Sequence, residues 1–124
     1  FGTLKALGYA LSSLELSGRG KISSLELSQD MIDRLKNGPF DTEGIADHAV
    51  SIRGVELGIF FRQDSDGVVK VSFRSTGNVD VNGLASIFGG GGHLKAAGAR
   101  IEGRLDEIRR KVLKEAERWM TTRT

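Results

Sequence analysis

At 124 residues, 39% apolar and 27% charged, the chain is a globular one, long enough for one domain and too short for two, with no apolar run that could cross a membrane. It has no Cys and only two His, which excludes disulfides and thiolate metal sites and argues against structural zinc. Its net charge of +2 is too small for a sequence-independent grip on duplex nucleic acid, so any anion recognition must be local.

Leu4, Leu7, Leu11 and Leu14 recur at the spacing of one helix face, and Ser17-Gly18 with Gly20 predicts the end of that helix. Lys21 to Leu27 reads as a strand at or near a sheet edge, with Leu25 and Leu27 on one side and Ser24 and Glu26 on the other. Ser28 is suited to cap a short helix through Lys36, stopped by Asn37-Gly38-Pro39. Thr42 is placed to cap another through Ile45, Ala49 and Ile52, ended by Gly54.

Val55 to Arg62 is apolar on both faces and suits an interior strand, and Asp64-Ser65-Asp66-Gly67 is a turn. The chain should return antiparallel from Val69 to Thr76. There Val69, Val71 and Phe73 share one face, and Lys70, Ser72, Arg74 and Thr76 the other. Asp80 or Asn82 starts a short helix carrying Val81, Leu84, Ala85 and a core-facing Phe88. A short strand follows at Ala99 to Glu102. Arg104 to Met120 forms a closing helix with an apolar stripe of Leu105, Ile108, Val112, Ala116 and Trp119. The pattern predicts a single α/β domain whose mixed sheet of about four to five strands is flanked by helices.

Between the last short helix and the last strand stands Gly89-Gly90-Gly91-Gly92-His93. Glycine is the compositional outlier, 17 of 124 residues, or about twice the average usage of roughly 7%. One glycine suffices to stop a helix, and each further one adds backbone entropy that folding must overcome, so the run needs another reason. Without Cβ atoms it could turn consecutive N–H groups toward an anion, and His93 could add a ring N–H. It is not a P-loop, because His93-Leu94 follow the last glycine and Ala96 follows Lys95. It is not a dinucleotide fingerprint either, because the glycines follow a helix and not a strand.

Gly90-Gly91-Gly92-His93-Leu94-Lys95-Ala96-Ala97-Gly98 resembles the GGGHxxAAG signature of the DHH-associated C-terminal domain found in RecJ-like and other DHH-family phosphoesterases. Val71-Ser72-Phe73-Arg74-Ser75 is similar to the family's Ser-x-Arg-Ser strand, and Asp80-Val81-Asn82 to its lead-in; Thr42-Glu43-Gly44 resembles its short acidic turn. The resemblance spans nearly the whole of residues 1–124. It implies the substrate-binding domain of a hydrolase acting on nanoRNA, 3′,5′-nucleoside bisphosphates or cyclic dinucleotides. Arg74, Gly89, Gly90, Gly91, Gly92 and His93 would contact a phosphate or terminal nucleotide, assisted by Ser72 and Ser75.

The resemblance further implies that catalysis needs an N-terminal DHH domain, outside this chain but on the same polypeptide, holding two divalent metals, usually manganese. No catalytic, metal or cofactor site is expected here. Asp47-His48 echoes a metal motif but lacks the second His and the other aspartates. The start at Phe1, with neither Met nor a leader segment, leads us to expect a piece of a longer polypeptide. The partners expected are a nucleotide or short single-stranded RNA or DNA, with no membrane contact, in the cytoplasm, and a homo-oligomer is a further expectation.

Two readings of another class stay open: a noncatalytic nucleic-acid-binding module like the glycine-rich C-terminal domain of alanyl-tRNA synthetases, and a dimerisation domain. Arg53 and Lys95 read as surface charges. Arg109, Arg110, Lys111, Lys114 and Arg118, interleaved with Glu107, Glu115 and Glu117, read as a solvated helix face. With Tyr9 and Trp119 far from the glycines in sequence, no base-stacking platform is evident.

Overall fold

The computed structural model describes residues 2–35, 42–64 and 66–122. The elements are α1 (Gly2–Ser12), β1 (Glu15–Ser17), β2 (Ile22–Leu27), α2 (Gln29–Arg34), α3 (Glu43–Ala49), β3 (Leu57–Gln63), β4 (Val68–Ser75), α4 (Val81–Ser86), β5 (Gly91–Gly92), β6 (Ala96–Glu102) and α5 (Leu105–Thr122). Six strands form one sheet in the order β1-β2-β3-β4-β6-β5, with β2 and β3 parallel and every other neighbouring pair antiparallel. The α/β class is as expected, and the sheet is larger than four to five strands. The two additions are β1, which the leucine spacing had assigned to the end of a helix, and β5, which the glycine run had concealed.

Each face of the sheet carries its own core. On one, Ile22, Leu57, Ile59, Phe61, Val69, Val71 and Phe73 pack under α4 and α5, which contribute Val81, Leu84, Ile108, Val112 and Ala116. The predicted stripe of α5 is therefore the face it buries, and Phe88 stacks on Phe73 with ring centroids 6.4 Å apart. On the other face Leu25, Leu27 and Phe60 pack beneath α1, α2 and α3.

Of the leucine face expected of α1 only Leu7 packs against the core, and it is half-buried. Ala6 and Ala10 are buried whereas Leu4 and Leu11 are exposed, and Leu14 lies beyond the helix end. Small side chains let the helix lie close over Leu25 and Leu27, which bulkier leucines at the contact would prevent. The chain then turns through Gly18, Arg19 and Gly20, all at positive φ, into β2. Because β1 occupies the edge, β2 lies one strand in from it, near the edge as its composition suggested. Its Ser23 is buried, with Oγ donating to the Ala49 carbonyl at the end of α3.

Ser28 caps α2 as expected, accepting from the Met31 N–H; Asn37-Gly38-Pro39 lies outside the described residues. Thr42 makes no capping bond. Its Oγ1 accepts from Arg62 instead, at 2.8 Å, and α3 ends at Ala49, ahead of Ile52. Asp80, not Asn82, is the N-cap of α4, with Oδ1 accepting from the Gly83 N–H at 3.1 Å.

Candidate functional site

Strand β4 has the alternation its sequence predicts: Val69, Val71 and Phe73 are buried, and Lys70, Ser72 and Arg74 are half-buried on the opposite face. That opposite face is the one α1, α2 and α3 cover over β2 and β3. Beyond β3 it opens. The register sets Arg74 against Ala96, Ser72 against Gly98 and Lys70 against Arg100, and sets Gly91 against Gly98 from the far side. Between Ser72 and Gly91 the floor therefore carries no side chain at all, and beside Arg74 it carries only a methyl group.

His93 follows β5 and donates its backbone N–H to Ala96 at 2.7 Å. Ala96 is thus flanked by Arg74 on β4 and by His93, which places the two candidate phosphate ligands about two strand spacings, or roughly 10 Å, apart across one row of the sheet. The turn that carries His93 is stitched down on both sides. Ser75 N–H donates to Lys95 at 2.9 Å, and Val81 N–H to Leu94 at 3.0 Å.

The glycine run does a different job from the one its composition suggests. Gly89 N–H donates to Ser86, Gly90 N–H to Ala85 and His93 N–H to Ala96, all within the backbone, while Gly92 N–H donates to Asn82 Oδ1 at 2.9 Å. These donors are engaged by the protein and do not form an open cradle for an anion. What demands glycine is close approach. A Cβ on Gly90 would overlap the Gly98 carbonyl, and one on Gly92 would lie 2.6 Å from the Ala96 oxygen. Gly89, at φ +81°, carries the backbone conformation at the helix end. The run thus builds a bare strand edge and holds His93 at its end.

Ser75 is not brought to this surface. It is buried, and its Oγ accepts from the N–H groups of Gly77 and Val79, at 2.9 and 3.2 Å, holding the turn into α4. Ser72 does lie on the open face, beside Arg74. Lys95 is exposed, with its stem next to Gly77, and Arg53 is exposed after α3.

Three residues that the sequence had not assigned to the site belong here. Asn82 anchors β5 from the first turn of α4. Asp47, set aside as a chance echo of a metal motif, accepts from Arg74 Nε at 3.0 Å, while Arg74 Nη1 donates to the Phe73 carbonyl at 3.0 Å. It reaches Arg74 because α3 sits directly on β3 at Gly58, where a Cβ would come within 2.7 Å of the Ala49 Cβ. Gly58 is also the residue opposite Arg74. The third, Lys70, lies on the same strand face. The signal for Asp47 lay only in its distance from Arg74 in space, which sequence spacing does not encode, whereas Asn82 stood in the lead-in motif with no role attached to it.

Among the described residues no group of three or more His, Asp or Glu side chains is arranged to hold a metal ion. His48 is exposed at the end of α3 and joins no such group.

The family model of the DHHA1 domain matches residues 28–122. The chain belongs to this family. In this DHHA1 domain β1 and β2 precede the matched segment and complete the sheet, with α1 packed over β2. The bifunctional oligoribonuclease and PAP phosphatase NrnA of Thermus thermophilus is 30% identical over 118 residues, 94% of this chain and 35% of that protein. The NrnA of Bacillus subtilis is 31% identical over 98 residues, 79% of this chain and 30% of that protein. This DHHA1 chain therefore spans about a third of the length of these relatives. An exopolyphosphatase-related protein from Bacteroides fragilis superposes with a TM-score of 0.85 at 30% identity, over 94% of this chain and 34% of that one. A pGpG-specific phosphodiesterase, PggH of Vibrio cholerae, shares the fold at a TM-score of 0.67 and 12% identity, over 99% of this chain and 40% of that one. These similarities make the chain a domain associated with DHH-family phosphoesterases.

Proposed function

We propose that this chain is the substrate-binding domain of a metal-dependent DHH-family phosphoesterase acting on short oligonucleotides or small nucleotides, such as nanoRNA, a 3′,5′-nucleoside bisphosphate or a cyclic dinucleotide. The observation that carries the reading is the row Arg74–Ala96–His93, with its bare glycine floor alongside. An arginine gives a planar, permanently charged fork that matches a phosphate, and an imidazole N–H on the far side of the row gives a second donor. The side-chain-free floor at Gly98 and Gly91 lets a sugar-phosphate lie against the sheet between them. Ser72 adds a hydroxyl on the same face. The relatives' names favour a nucleotide substrate over other phosphate esters.

In this reading the domain binds and orients, and the hydrolytic metals, expected to be manganese, come from an N-terminal DHH domain of the same polypeptide. Titration of the isotopically labelled chain with a 3′,5′-nucleoside bisphosphate or a dinucleotide, followed by NMR, tests the assignment. Shifts centred on Arg74, Ala96 and His93 are expected. Unmoved resonances at Arg74 and His93 with millimolar ligand present would remove the site.

A further inference from the structure

The open face continues past the Arg74–His93 row. Four residues before Arg74 on β4, and about 13 Å along the strand, Lys70 stands between Arg62 of β3 and Arg100 of β6. Three cations thus lie abreast on neighbouring strands. Like charges directly opposite one another in a sheet are destabilising, so such a row calls for counter-charge. The fold supplies it to the two outer cations, which one carboxylate bridges. Asp64 pairs with Arg62 at 3.3 Å and with Arg100 at 3.2 Å, and Asp66 pairs with Arg100 at 3.6 Å. Lys70, half-buried in the middle, has no carboxylate partner among the described residues.

Ser72 and Gly98 join this row to Arg74 and Ala96 along β4 and β6, so one sheet surface runs from one cationic end to the other. A single nucleotide seated at Arg74 is too short to reach Lys70. A chain of a few nucleotides is not. The open half carries no aromatic side chain on β4, β5 or β6, since Phe73 faces the opposite core, so the grip available is on the sugar-phosphate backbone and not on the bases.

We propose that Lys70, flanked by Arg100 and Ser72, is a second phosphate subsite, holding the backbone of a short single-stranded oligonucleotide whose terminal phosphate sits at Arg74 and His93. The proposal rests on the reading of that terminal site and makes the domain a sensor of substrate length. It predicts that ligands of several nucleotides gain affinity that dinucleotides do not, without base preference.

The test is fluorescence anisotropy and NMR titration of the 124-residue chain with an adenylate dinucleotide and an adenylate pentanucleotide at low salt. Lys70→Met keeps the aliphatic stem and removes the charge. It should weaken pentanucleotide binding about tenfold, the loss of one charge-assisted contact, and leave the dinucleotide unchanged. It should also flatten the dependence of log affinity on log salt by about 0.7, the value for one phosphate of a single strand. Lys70→Arg should restore both.

Unchanged pentanucleotide affinity and salt slope in Lys70→Met, or an equal loss for the dinucleotide, overturns the subsite. A pentanucleotide that needs Lys70, beside a dinucleotide that leaves Arg74 and His93 unmoved, removes the terminal site and keeps this one. If the dinucleotide shifts Arg74 and the pentanucleotide binds no more tightly, the terminal site stands and the subsite falls. Absence of binding by either ligand overturns both.

Discussion

Arg74 is held by two hydrogen bonds before any ligand arrives, one to the Asp47 carboxylate and one to the Phe73 carbonyl. The first has consequences for binding. Asp47 is 70% exposed and Arg74 21%, so the pair is a surface one whose contribution to stability is at most about 1 kcal/mol. Its carboxylate nevertheless offsets part of the charge an anionic ligand would meet. Asp47→Asn keeps an acceptor for Arg74 Nε and removes the negative charge. It should tighten binding of a 3′,5′-nucleoside bisphosphate about threefold to tenfold at low ionic strength, with the gain shrinking as salt screens the charge. The melting temperature should barely move. Isothermal titration at two salt concentrations measures the effect, and weaker binding by the variant would show that Asp47 orients Arg74 more than it competes with the ligand.

At the scale of elements, what positions the site is close approach between backbones. Gly58 admits α3, Gly90 and Gly92 admit β5 against β6, and Gly83 admits Trp119 of α5 against α4, where a Cβ would lie 2.6 Å from the indole ring. On the α5 side of the sheet, β2 presents Glu26 to Arg109, with Oε1 3.3 Å from Nε, and Arg109 also pairs with Glu15 of β1. Burial pushes the Glu26 carboxyl above its ordinary 4.5, despite that cation. The sign follows directly. The folded chain keeps a proton at pH values where the unfolded chain has already released it, so this group favours folding at low pH. That contribution is lost as the pH rises from about 4.5 through the folded value. In Glu26→Gln the decline should be smaller, and urea midpoints measured at pH 4.5 and pH 7 should differ less than in the parent. An unchanged difference would place the pH dependence elsewhere.

At the scale of the whole molecule, the six-stranded sheet is covered on one face by α4 and α5 and on the other mainly over β2 and β3, by α1, α2 and α3. The uncovered half is the surface with Arg74, Ser72, Lys70, Gly98 and Arg100, next to His93. No metal-holding group of side chains lies on it among the described residues. On the proposed reading, in which the hydrolytic metals come from another domain, the chain by itself should bind nucleotides without cleaving them. Incubation with a dinucleotide and manganese, followed by chromatography, should return the dinucleotide intact, and turnover above a no-protein control would mean that catalysis does not need another domain. No helix among the described residues is long and apolar enough to cross a membrane.

The sequence by itself determined whatever depends on a few neighbouring residues. The alternation in β4 set which of its side chains are buried, the stripe of α5 set its packing face, and Ser28 and Asp80 set the starts of two helices, because periodicity and capping act within a turn or a strand. The glycine-histidine signature also marked the surface now proposed as the site. Tertiary structure alone decided what depends on partners distant in the chain. It buried Ala6 and Ala10 and left Leu4 and Leu11 exposed, because helix packing rewards close fit as well as apolar area. It made strands of Glu15–Ser17 and Gly91–Gly92, because such short segments become strands only by hydrogen bonding to a neighbour. It engaged the N–H groups of the glycine run and turned Ser75 inward, and through the register of β4, β6 and β5 it brought Arg74 and His93 into one row. Register is fixed by pairing between strands, and no local pattern in either strand specifies it.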